Sequence, residues 1–171
     1  IKNLQVDFET ELGTSNAVNG ISFEVNRGEI VAIVGESGSG KSVTALSIMQ
    51  LLPHKTVRYP TGEILFSTDS ISVTDILCCN ENALRSIRGN EAAMIFQEPM
   101  TSLNPVFTCG SQVMEAIQLH QHVNPSEARR KSIALFEKVK LPDPEQLFRR
   151  YPHQLSGGQK QRFSIATTLI N

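Results

Sequence analysis

Five consecutive apolar residues, Ile30 to Val34, run directly into Gly35-Glu36-Ser37-Gly38-Ser39-Gly40-Lys41-Ser42, and a helical pattern starts at once behind them. No other feature constrains the fold as much, because a short β-branched strand that feeds a glycine loop and then a helix belongs to an α/β architecture. Glycines at these spacings let successive backbone N–H groups converge on an anion. A lysine and a hydroxyl close the loop, suited to the β and γ phosphates of a nucleotide and to Mg²⁺ respectively. The helix behind the loop is marked by Ala45, Leu46, Ile48, Met49 and Leu52 as its apolar face, and Pro53 is expected to end it.

Upstream, Leu4, Val6 and Phe8 alternate with polar residues, as a half-buried strand does. Val18, Ile21, Phe23 and Val25 suggest its partner across a polar loop from Thr10 to Asn16, so an N-terminal β layer is expected. Glu63 to Phe66 reads as a further β segment, Glu81 to Ile87 as a short helix and Ala92 to Phe96 as a buried strand. After Pro105 the pattern turns helical. Val113, Met114, Ile117 and His120 share one stripe, and Asn124-Pro125-Ser126-Glu127 starts a second helix, with Asn124 as N-cap, Pro125 at the first helical position and Glu127 reaching back to close a capping box. Pro142 and Pro144 are expected to end that helix.

A second glycine segment, Leu155-Ser156-Gly157-Gly158-Gln159, is expected to open a last helix, with Ser156 as its cap and its N–H groups aimed at another phosphate. The bulk numbers are compatible with one folded domain. A chain of 171 residues buries roughly 70% of its unfolded surface. Its 16 Lys and Arg against 17 Asp and Glu give no sign of the strongly basic surface that nucleic-acid binding usually shows. The apolar runs fall far short of the ~20 residues that span a bilayer. Cys78, Cys79 and Cys109 have neither metal-ligand nor disulfide spacing and read as reduced thiols, and His120, His122 and His153 read as solvated surface.

Three stretches together carry a resemblance: Gly35 to Leu46, Met94-Ile-Phe-Gln-Glu-Pro-Met-Thr-Ser-Leu-Asn-Pro105, and Tyr151-Pro-His-Gln-Leu-Ser-Gly-Gly-Gln159. They are similar to the ATP-binding cassette (ABC) ATPases, and among these to the ATP-binding subunits of importers for dipeptides, oligopeptides, nickel and glutathione. The resemblance implies a P-loop NTPase core with an N-terminal antiparallel β layer and a helical insert. Its divisions would be a β layer over 1–30, part of the P-loop core over 31–105, the insert over 106–150, and the signature loop and helix over 151–171. It implies that Gly35, Glu36, Ser37, Gly38, Ser39, Gly40, Lys41, Ser42 and Val43 hold the phosphates of ATP, that Ser42 and Gln97 serve Mg²⁺, and that Gln97 also contacts the attacking water. Leu155, Ser156, Gly157, Gly158 and Gln159 would clamp the ATP held by a second subunit, so the two loops of one chain need not meet. Phe8 has two readings, a stack on adenine or plain core.

The implied partners are a second ABC ATPase subunit, transmembrane permease subunits and, indirectly, an extracytoplasmic solute-binding protein, with no nucleic acid. The implied place is peripheral, on the cytoplasmic face of a bacterial inner membrane. Glu98 is read as a neighbour of Gln97 rather than a general base, because Gln97 stands where the Mg²⁺-binding aspartate would have to be. In the family that aspartate, the general base and a switch histidine follow the signature helix, so no catalytic acid or base is expected within the chain. The start at Ile1 and the apolar run-out at the other end suggest a chain cut at both ends, missing the C-terminal part of the domain. Residues 1–171 alone are therefore expected to bind ATP better than they cleave it. The competing readings are a soluble ABC protein of translation or DNA repair, a non-hydrolysing nucleotide-binding fragment, and a P-loop kinase, which would need no signature loop.

Overall fold

Leu4–Thr10 (β1) and Gly13–Ile21 (β2) pair as an antiparallel hairpin whose turn is Glu11-Leu12, tighter than the polar spacing suggests. Gly13 supplies the turn with a φ of 120°, and the Thr10 hydroxyl donates to the Gly13 carbonyl at 2.7 Å. The tighter turn shifts the register: Val18 faces Val6 and Ile21 faces Leu4, whereas Phe23 and Val25 lie beyond the strand. Val57–Arg58 (β3) adds to the other edge of β1, opposite Phe8 and Asp7, so the sheet order is β2-β1-β3.

The computed structural model describes residues 1–69, 71–96 and 103–170, and divides the chain into two units, residues 1–88 and 89–171. In the first unit, Lys41–Ile48 (α1) follows the glycine loop, Leu65–Phe66 (β4) pairs with Thr74–Asp75 (β5), and Glu81–Ser86 forms α2. Leu4, Val6, Val18, Leu52, Val57, Ile64, Ile76 and Leu84 are its buried core. The deepest face of α1 differs from the apolar stripe: Thr44 and Ser47 are buried, while Ala45, Leu46, Ile48 and Met49 are half-buried. Burial costs these hydroxyls little, because Thr44 returns its hydrogen bond to the Gly40 carbonyl and Ser47 to the Val43 carbonyl, at 3.0 and 2.8 Å. Nor does Pro53 end the helix. A Schellman closure does, with Gln50 N–H donating to Ser47 and Leu51 N–H to Leu46, and Gln50 itself left-handed at φ 49°.

The second unit is helical: Cys109–Gln121 (α3), Pro125–Lys138 (α4), Pro144–Arg149 (α5) and Gly157–Thr168 (α6). Val113 and Ile117 of α3, Phe136 of α4, Leu147 of α5 and Phe163 of α6 meet in its core, where the rings of Phe136 and Phe163 lie 5.7 Å apart. His120, expected on the α3 stripe, is exposed. Asn124 caps α4 and Pro125 takes its first turn as expected. Glu127, however, pairs with Arg130 instead of closing a capping box. Pro144 starts α5 rather than stopping α4, occupying the position where its missing N–H costs nothing. The Thr167 and Thr168 hydroxyls bond back to carbonyls of the preceding turn, so α6 continues through both.

Ile30 to Val34 and Ala92 to Phe96 form no ladder among the described residues. Ile30 is 97% and Val34 91% exposed, and Ile95 and Phe96 are about half exposed, the reverse of the burial expected. Apolar β-branched runs encode a strand covered on both faces, but a ladder also needs neighbours along its edges, and the described residues supply none.

Candidate functional site

The glycine loop is built against the hairpin. Gly40, the N-cap of α1, has φ 85°, and a Cβ on it would stand 2.5 Å from the Ala17 carbonyl oxygen and 3.1 Å from a Val18 methyl. Only glycine both adopts this backbone and permits this approach. Glu36 to Ser39 form the bend of the loop, with Ser39 N–H on the Glu36 carbonyl at 3.3 Å, and Gly38 is also left-handed at φ 82°.

At the open end of α1 no side chain caps the helix, and its first turn carries no acid. Among the described residues, no acceptor takes the N–H groups of Lys41, Ser42 or Val43. Aligned orphan donors at the positive end of a helix dipole form an anion cradle. The Lys41 ammonium folds back over this cradle and donates to the Gly35 carbonyl at 2.8 Å, the Glu36 carbonyl at 2.5 Å and the Ser39 hydroxyl at 3.2 Å. All three acceptors are neutral, so a phosphate offers this cation a stronger, charge-assisted partner. Ser42 is exposed on the first turn, and its hydroxyl donates to no acceptor among the described residues. A hydroxyl free in this position suits a hard cation held beside the phosphates, so the residues present fit Mg²⁺ through Ser42. Phe8 lies on the β1 face that carries Leu4 and Val6 and packs, half-buried, against the core of the first unit.

In the second unit, buried Leu155 anchors the start of α6 and Ser156 caps it. The Ser156 hydroxyl accepts from Gln159 N–H at 3.3 Å, while Gln159 Oε1 accepts from Ser156 N–H at 2.9 Å. This reciprocal capping box was not expected from the sequence, although serine followed three residues later by glutamine is its signal. It turns the Ser156 side chain onto its own helix and leaves the exposed Gly157 and Gly158, beside which a Cβ would meet nothing within 4 Å, as the open face. Gln97 and Glu98 lie outside the described residues. His120, His122 and His153 are exposed, and His153 stacks on Tyr151 with ring centroids 5.7 Å apart. All three cysteines are free: Cys78 exposed, Cys79 half-buried, and Cys109 buried, with its thiol pushed up to about 11 by desolvation.

Sequence reasoning missed Arg88. Its guanidinium donates from Nε to the Met49 carbonyl at 2.7 Å and from Nη2 to the Gln50 carbonyl at 2.6 Å, and Nη1 pairs with Glu81 at 3.1 Å. No local signal could have found a contact between residues 38 and 39 positions apart.

Comparison with known proteins places these features in a wider group. The family model described as ABC transporter matches residues 18–171. The peptidoglycan transport ATP-binding protein YejF of Agrobacterium fabrum is 48% identical over all of this chain and 30% of its own length. The dipeptide transport ATP-binding protein DppD of Bacillus subtilis is 45% identical over 99% of this chain and 49% of its own. Among solved structures, the dimeric post-hydrolysis state of the ATP-binding cassette MJ0796, bound to ADP and Pi, superposes with a TM-score of 0.82 at 26% identity, covering 99% of this chain and 68% of that one. The chain thus spans half or less of the length of these two curated relatives.

Proposed function

The chain belongs to the ABC transporter family, and from that premise we propose that it is the ATP-binding part of a subunit that powers import of a peptide-like solute. Gly35 to Val43 bind the ATP phosphates through the free N–H groups of α1, with Lys41 leaving its three neutral acceptors for the β and γ oxygens. Ser42 would hold Mg²⁺, which would supply positive charge against the phosphates. Gln97 also serves Mg²⁺ and the attacking water. Leu155 to Gln159 present the open Gly157-Gly158 end of α6 to the ATP of a second subunit, so ATP binding is linked to association of two ATPase subunits.

The observation that carries this reading is the combination at α1 of unaccepted N–H groups with a lysine held only by neutral loop atoms. The peptide class of solute is supported by what the relatives' names state, and a dimer by the assembly in which MJ0796 was solved. No helix among the described residues is long and apolar enough to cross a membrane, in keeping with a peripheral subunit docked on permease partners at the cytoplasmic face.

Titration with a fluorescent ATP analogue and Mg²⁺ tests the proposal. Lys41→Met removes a charge-assisted contact worth about 1.5 to 3 kcal/mol, so affinity falls on the order of 10- to 150-fold. Equal binding by the Lys41→Met variant and the unaltered chain would sink the assignment.

A further inference from the structure

We infer that Arg88 is a positioning residue for nucleotide binding: its guanidinium fixes the closed end of α1 and thereby aims the helix's free N–H groups at the phosphates. The inference rests on the reading of Gly35 to Val43 as the phosphate site.

The helix is only eight residues long, about 12 Å at 1.5 Å per residue, so a small tilt at one end displaces the N–H groups at the other. Its open end bears on the hairpin through Gly40, against the Ala17 carbonyl. Its closed end has no basic residue in the last turn to offset the negative pole of the dipole. Arg88 supplies that charge from elsewhere. Nε and Nη2 take the Met49 and Gln50 carbonyls as a two-pronged fork, a geometry that a planar guanidinium provides and an ammonium does not. The side chain is only 22% exposed, and Glu81 on α2 orients it through Nη1. Gln50 adds a reason for the fork. It sits left-handed without being glycine, so its carbonyl is presented by a strained residue whose side chain is itself tied to the Ser47 carbonyl and the Tyr59 hydroxyl. Both ends of α1 are thus held by backbone contacts, one steric and one a pair of charge-assisted hydrogen bonds.

The test measures affinity for the fluorescent ATP analogue, thermal midpoint, and the amide NMR resonances of Gly38 and Gly40 in the nucleotide-free chain, for Arg88→Ala, Arg88→Lys and Glu81→Gln. Arg88→Ala is expected to weaken binding about tenfold and to shift both glycine resonances. Arg88→Lys, with a point charge but no fork, should recover part of the affinity, and Glu81→Gln should leave it within about twofold, because the fork remains. Arg88→Ala or Arg88→Lys with unaltered affinity and unmoved glycine resonances, whatever its melting temperature, would overturn the inference. If Arg88→Ala does not fold, Arg88→Lys decides alone. Failure of the unaltered chain to bind the analogue would instead remove the phosphate-site reading itself.

Discussion

A Cβ on Gly40 would stand 2.5 Å from the carbonyl oxygen of Ala17, so the turn between glycine loop and helix is set by a hairpin strand more than twenty positions upstream. Gly40→Ala therefore meets two obstacles, a φ of 85° and a backbone atom that has nowhere to go. The left-handed backbone alone costs about 1 to 2 kcal/mol for a residue with a Cβ. We expect a loss of stability of at least that size together with weakened nucleotide binding, whereas Gly38→Ala, with open space around it at the same backbone hand, should show only the backbone cost. Chemical denaturation midpoints of the two variants decide this.

Ser156 and Gln159 make separable predictions. Ser156→Ala opens the capping box and should cost about 1 kcal/mol of stability. Ser156→Asp keeps an acceptor for the Gln159 N–H and adds a favourable charge at the helix start, so stability is retained, but it brings a negative charge to the face proposed to meet a phosphate. ATP-dependent association of two subunits, followed by light scattering, should be lost in Ser156→Asp although the variant is as stable as the original. Retained association would contradict the assignment.

Gly110 on α3 lies under the ring of Phe148, where a Cβ would come within 2.4 to 2.5 Å of three ring atoms. Gly110→Ala overpacks the second unit and should destabilise it by about 1 to 3 kcal/mol. Pairing it with Phe148→Leu should recover part of that loss. An additive double-mutant cycle would show that the two residues do not meet.

Cys109 and Cys78 should differ in reactivity. Cys109 is buried with its thiol raised to about 11, against 9.0 as the ordinary value. The exposed Cys78 is also raised, by the Asp75 carboxylate that accepts its hydrogen bond. Iodoacetamide under native conditions should label Cys78 and Cys79, and Cys109 only after denaturation, as read by mass spectrometry. Stability follows with a definite sign. Between about pH 9 and pH 11 the unfolded chain loses the Cys109 proton while the folded chain keeps it, so this residue destabilises the fold progressively as pH rises. Cys109→Ala should therefore lose less of its thermal midpoint than the original between about pH 8 and pH 10.5.

How much of this was legible beforehand depended on the range of the interaction. The two glycine loops, the Asn124 and Ser156 caps and the helices α3, α4 and α6 follow from neighbours within a few positions, and such signals survive whatever surrounds them. Other features answered to distant atoms. The hydroxyl-rich buried face of α1, the rejection of a Cβ at Gly40 and the Arg88 fork on Met49 and Gln50 depend on which residues meet, and periodicity does not report this. The apolar runs at Ile30 to Val34 and Ala92 to Phe96 mark the boundary. Their composition states what surroundings a strand requires, but ladder hydrogen bonds belong to pairs of strands, so tertiary structure alone decides whether the strand forms. By itself the sequence determined the chemistry on offer, two glycine-lined helix ends with a lysine and a hydroxyl at one of them. The direction in which those groups point was decided by packing and by hydrogen bonds across long stretches of chain.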